Sequence, residues 1–222
     1  NDESLHFFGV CMWELVKAGG WLMVPLVLCS IFTVAIAIER FIRLKRSNVL
    51  PKNLLLKNSD SAAQVVKTLE NDDALKMTAL GQVLYEGYSF QGQGEQFSRA
   101  QMEVAASKEI GYLEKNINFL GTLSAVAPLL GLLGTVIGII ESFLVVDIGS
   151  AGNASMMIPG ISKALITTAA GMVVAIPALF AYRYFQRLVQ EYVTELEQQA
   201  TLFHAALFYK QKATSQVSER AS

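Results

Sequence analysis

Five polar side chains stand out in runs of sequence that are largely apolar. Thr135 and Glu141 stand in "GLLGTVIGIIESF", and Lys163, Thr167 and Thr168 in "PGISKALITTAAGMVVAIPALFAYR". A hydroxyl both donates and accepts hydrogen bonds, so threonines at one depth of an apolar layer supply a polar lining. A carboxylate and an ammonium are each costly in such a layer and relieve one another as a pair. The bland alternatives are a threonine bonding its own i−4 carbonyl and charged side chains snorkelling to the nearer interface. No nucleophile–base set, phosphate loop, metal cluster or G-x-S-x-G accompanies these residues, so the chain does not read as an enzyme and no cofactor or metal is expected. His6 and His204 are isolated, and Cys11 and Cys29 fall at different depths, which argues against a ligand set or a disulfide.

The elements that must hold these residues are membrane spans. The chain has 222 residues, 52% of them hydrophobic, and a net charge of −1, which indicates neither a basic nucleic-acid surface nor an acidic tail. Apolar residues concentrate at 21–38, 117–146 and 156–182. Each block is long enough to cross about 30 Å of hydrocarbon at about 1.5 Å per residue. The first reads as a retained span and not a leader: Asp2, Glu3 and Glu14 precede it against Lys17 alone, and no small-residue cleavage site comes before Glu39.

Arg40, Arg43, Lys45, Arg46, Lys52 and Lys57 follow the first span, Arg183 and Arg187 follow the third, and "DIGSAGNAS" between the second and third has no basic residue. The positive-inside rule therefore places residues 1–20 and the 147–155 connection outside. The 39–116 region and the 183–222 segment fall in the cytoplasm. The expected class is an all-α integral membrane protein with three transmembrane helices, two of them extending as long amphipathic helices into the cytoplasm.

Within 39–116, "SDSAAQVVKTLEN" offers Ser59 or Asp60 as a cap, "DDALKMTALGQVLYEGY" repeats a helical pattern up to Gly87, and "SFQGQGEQ" is the clearest loop. From Glu95 the pattern runs without a breaker apart from Gly111 into the second span, with Met102, Ala106, Ile110, Leu113 and Ile117 on one stripe. Phe185, Val189, Tyr192, Leu196, Ala200, Phe203 and Leu207 continue the third span in the same way. Such stripes need partners, either one another or neighbouring subunits.

Small residues mark a helix–helix face on the second span, at Gly131, Gly134 and Gly138, and on the third, at Gly160, Ala164 and Gly171, with Pro177 counted among the packing positions. Counting from Ala151, Thr135 lies 16 residues before and Thr168 lies 17 after, so an antiparallel pair brings both to one depth near the bilayer middle. Glu141 is 10 before and Lys163 is 12 after, which predicts an ion pair in a layer nearer the outer surface. Neither span carries a carboxylate at the depth of the threonines. A proton crossing there needs an acid from a partner helix.

The patterns "GLLGTVxGI" and "PGIxxALxTTAxGxxxAIPA" together resemble the MotA/TolQ/ExbB proton-channel family, ExbB and TolQ members most closely. The resemblance implies an inner-membrane motor subunit that forms a ring, usually a homopentamer, around an ExbD-like single-span protein dimer whose aspartate carries protons. Proton flow would energise a TonB-like periplasmic transducer or, in the TolQ-like alternative, the Tol-Pal system. On that pattern Thr135 and Thr168, with Thr167 beside them, match the pore-facing threonines. ExbB and TolQ carry a glutamate after "PGIA" in the third span, where this sequence has Lys163, with Glu141 on the neighbouring span. The pair would preserve a polar layer at the outer mouth with the charges exchanged. A non-conducting membrane scaffold, held by its small-residue faces, is the reading from another class.

Overall fold

Hydrocarbon leaves backbone amides no partner except one another, and the three apolar runs are helical in the computed structural model, which describes residues 19–56, 62–148 and 154–220. In chain order the helices are α1 (Met23–Arg43), α2 (Arg46–Val49), α3 (Ala62–Asn71), α4 (Asp73–Lys76), α5 (Ala79–Ser89), α6 (Glu95–Glu114), α7 (Ile117–Ile148) and α8 (Ile158–Arg220). There is no strand among the described residues. Three helical stretches, containing α1, α7 and α8, are long and apolar enough to cross a membrane. His6, Cys11, the caps expected at Ser59 and Asp60, and the centre of the 147–155 connection lie outside the described residues.

The chain divides into two units, 1–39 with 116–184 and 40–115 with 185–222. In the first, Met23 and Leu26 of α1 pack with Ala127 of α7 and Ala175 of α8, flanked by Leu130, Ala170 and Val174. Leu22, Ile36, Ile117, Leu120 and Leu123 of this unit are also buried, whereas many other large side chains, such as Leu129, Leu132, Val136, Leu165, Val173 and Phe180, point outward. An apolar exterior of this kind suits lipid as solvent. Small residues are left for the helix contacts.

In the second unit α5 and α6 form a hairpin in which Gly87 meets Met102 and the buried Ser98 hydroxyl donates to the Gly87 carbonyl at 2.7 Å. Gly87 is thus a close-approach residue and not a helix stop; α5 continues to Ser89. The helix expected across "DDALKMTAL" is two helices, because Thr78 caps a new one, its Oγ1 accepting from the Gly81 amide at 3.1 Å. Burial holds the Glu109 carboxyl of α6 above the ordinary carboxylate range, with Lys108 opposing.

Along the distal part of α8, Phe185, Val189, Tyr192, Leu196, Gln199 and Phe203 are buried at alternating four- and three-residue steps. Three polar groups on this stretch hold the 44–56 segment. Tyr192 Oη donates to the Leu44 carbonyl at 2.8 Å, Arg46 Nη2 donates to both Glu195 carboxylate oxygens at 2.6 and 2.9 Å, and the Leu56 amide donates to Gln199 Oε1 at 2.7 Å. Between these ties Val49, Leu50 and Leu54 are buried.

The continuous helix expected from Glu95 into the second span is interrupted. Helix α6 ends at Glu114, Lys115 turns extended at ψ 139°, and Asn116 adopts φ +63° before α7 begins. Asparagine is one of the few side chains that tolerates this left-handed conformation, and its Nδ2 donates to Glu39 at 3.0 Å. The end of α6 is met by Arg40, 1% exposed, whose guanidinium donates to the Tyr112 and Leu113 carbonyls at 3.2 and 3.3 Å. A cation there satisfies carbonyls the helix leaves open and complements its dipole.

Candidate functional site

The site is built on close approach of α7 and α8. A Cβ on Gly138 would stand 2.7 Å from the Gly160 carbonyl oxygen and 2.9 Å from Ala164 Cβ. One on Gly131 would meet the Thr167 carbonyl oxygen and Thr168 Cα at 3.1 Å, and one on Gly171 the Ala127 carbonyl oxygen at 2.6 Å. Gly134 faces the Thr167 side chain, and Gly160 faces Ser142. These glycines let the backbones touch along the hairpin. Pro177, grouped with them in the sequence, is exposed on this chain.

That approach brings the threonines together selectively. Thr135 and Thr168 are hydrogen-bonded hydroxyl to hydroxyl, and Thr168 Oγ1 lies 3.0 Å from the Gly131 carbonyl oxygen. Thr167 does not join them. It is 1% exposed, and its hydroxyl donates to its own i−4 carbonyl at Lys163, 2.7 Å, with the Gly19 carbonyl at 3.3 Å. One residue along a helix is a turn of about 100°, so Thr167 faces the start of α1 while Thr168 faces α7.

Nearer the 147–155 connection, Lys163 Nζ donates to both carboxylate oxygens of Glu141, at 2.8 and 3.1 Å. The side chains are 26% and 45% exposed, so the pair is partly sheltered. Ser142, next to Glu141 and almost wholly buried, ties its hydroxyl to the Gly138 carbonyl at 2.9 Å and to that of Met157 at 3.2 Å. Gly19 and Gly20, not among the residues expected at the site, bring the start of α1 against this layer: Gly19 through Thr167, Gly20 through the stem of Lys163. The signal available was the "AGG" run immediately before an apolar block.

The arrangement is a partly sheltered hydroxyl pair at mid-span with an ion pair above it. Among the described residues no group of His, Cys, Asp and Glu could hold a metal. His204, far along α8, stacks near Phe208 with ring centroids 4.9 Å apart and bonds the Glu95 carbonyl, a structural placement.

Residues 75–198 match the MotA/TolQ/ExbB proton channel family. Similar proteins include the putative biopolymer transport protein ExbB-like 1 of Synechocystis, 34% identical over 204 residues that cover 89% of this chain and 80% of that protein. ExbB-like 3 of the same organism is 32% identical over 212 residues, covering 89% of this chain and 99% of its own. The Tol-Pal system protein TolQ of Haemophilus influenzae is 37% identical over 113 residues, 49% of this chain and 50% of that one. The family match includes all five polar residues, the whole of α7, and α8 as far as residue 198.

Proposed function

Since the chain belongs to the MotA/TolQ/ExbB proton channel family, we propose that it is an ExbB-like subunit of a motor driven by the proton-motive force in a bacterial inner membrane. On this reading several copies, in a pentameric ring, enclose two single-span helices of an ExbD-like partner, and proton passage energises a TonB-like transducer in the periplasm. The N-terminus lies outside and the C-terminus in the cytoplasm, as the basic flanks require.

The observation that carries the proposal is the Thr135–Thr168 hydroxyl pair, a polar interruption of a face that is otherwise apolar. Hydroxyls do not titrate near neutral pH and cannot themselves carry a proton charge across. They can receive an acid that does, which a single-span partner would bring. Glu141, the carboxylate nearest to them on these spans, is already held by Lys163. A TolQ-like role with a Tol-Pal client is the second reading, favoured by the 37% identity to the Haemophilus protein over 113 residues.

The test is co-purification of the tagged chain with a co-expressed ExbD-like single-span protein, native mass spectrometry of the complex, and proton flux in vesicles. A pentamer carrying the partner, with flux abolished in Thr135→Val and Thr168→Val while assembly persists, is the expected result. A partner-free oligomer, or full flux in both variants, would replace the motor with a scaffold.

A further inference from the structure

The count of hydroxyl hydrogens decides what the Thr135–Thr168 pair can bind. Each hydroxyl has one hydrogen to give and two lone pairs. The bond between the two hydroxyls uses one hydrogen. The other is directed to the Gly131 carbonyl oxygen, which lies 3.0 Å from Thr168 Oγ1 and 3.4 Å from Thr135 Oγ1. Either hydroxyl can be the donor of the first bond, and the shorter separation favours Thr168 as the donor of the second. Exchanging the roles leaves the sum unchanged, with one hydrogen between the hydroxyls and one on the carbonyl.

Gly131 has no further capacity, because in the unbroken α7 it also accepts the amide of Thr135. The outward face of the pair therefore presents oxygen lone pairs, foremost those of Thr135 Oγ1, and no O–H. A carboxylate arriving there would find no donor. A protonated carboxylic acid would find an acceptor for its own O–H.

The geometry points to an acceptor-only site at Thr135 and Thr168 that holds a carboxylic acid in its protonated form and rejects the anion. The inference deepens the motor reading and rests on it for the source of the acid, the partner's single-span helix. In that cycle the pair is the station at which the acid is kept loaded, and the proton leaves only after the acid has moved off it. No bond to hydrogen is made or broken at the station; the acid donates a hydrogen bond and keeps its proton.

Two measurements separate the inference from the reading beneath it. Gly131–Leu132 is the only Gly–Leu pair in the sequence, so labelling glycine carbonyl carbon with ¹³C and leucine nitrogen with ¹⁵N isolates the Gly131 carbonyl by solid-state NMR of the chain alone in bilayers. The double variant T135V/T168V is expected to move that resonance upfield through loss of the hydroxyl bond. An unmoved resonance means that a hydroxyl hydrogen is free to point outward, and overturns the acceptor-only site whatever the protein does.

The second measurement follows the infrared band of the protonated acid in the complex with the partner as pH rises. Thr135→Asn places an N–H donor at the station and is expected to shift loss of the band to lower pH, while Thr135→Ser leaves it in place. A T135N titration identical to wild type, with the band still shifted by Thr135→Val, means that the native pair already donates, and overturns the inference. A band that responds to neither T135N nor Thr135→Val removes the partner's acid from the site, and overturns the motor reading instead.

Discussion

Lys163 reaches Glu141 by lying across Gly20. A Cβ at that glycine would stand 3.0 Å from the lysine ammonium and closer still to the methylene beside it, and Gly20 itself holds φ +76°. Two independent penalties therefore attend Gly20→Ala: left-handed strain of about 1–2 kcal/mol and displacement of the lysine. The variant should lower the thermal midpoint. In a double-mutant cycle Lys163→Met should recover the displacement part and leave the strain; simple additivity in that cycle would separate Gly20 from the pair.

Reversing one charge of the ion pair should be worse than reversing both. Lys163→Glu sets two carboxylates against each other at 22 residues' separation in sequence but one layer in space, and the assembled protein recovered from membranes should fall sharply. Adding Glu141→Lys should restore most of it. Equal yields for the single and double variants would show that the pair contributes nothing.

Glycines in this chain should respond to alanine in opposite directions. Gly111 in α6 has nothing within 4 Å of the position a Cβ would take, so Gly111→Ala should stabilise by up to about 1 kcal/mol through helix propensity. Gly171 would drive a Cβ to 2.6 Å from the Ala127 carbonyl and 3.0 Å from Gly131 Cα, both backbone atoms that cannot swing aside. Gly171→Ala should cost about 1–3 kcal/mol as overpacking, read as thermal midpoints in detergent.

The depth of the site was legible because a membrane reduces the problem to one coordinate. Once two spans are helical and joined by a short connection, counting from Ala151 fixes which residues share a layer, and the Thr135–Thr168 and Glu141–Lys163 contacts lie in the layers so counted. Counting says nothing of azimuth. Thr167 shares a depth with Thr168 yet bonds toward Gly19, a distinction that needs the position of α1. The break at Asn116 escaped because no proline or glycine announces it; what selects it is an asparagine that accepts the left-handed conformation and a glutamate 77 residues away. Arg40 likewise reads as one more flanking cation until the carbonyls of Tyr112 and Leu113 are seen around it.

Stability of the second unit should depend on pH through Glu109. Burial raises the folded carboxyl above its unfolded value, with Lys108 as the smaller, opposing influence, so the folded state holds that proton more tightly. Stability from this group is fully present below the unfolded value and declines as pH rises through the folded one. Glu109→Gln should accordingly raise the midpoint at neutral pH and change it little below about pH 4, where the carboxyl is largely protonated in either state. A pH-independent gain would assign the effect to packing.

The ties at Tyr192, Glu195 and Gln199 have a mechanical meaning. They sit three and four residues apart on α8, on one stripe, and grip Leu44, Arg46 and Leu56 in the same order along the chain. A screw motion of this stretch by one residue would turn the stripe by about 100° and carry it off all three anchors together. The 44–56 segment therefore acts as a key in a slot: the helix can tilt or travel with its strap, but it cannot spin within it.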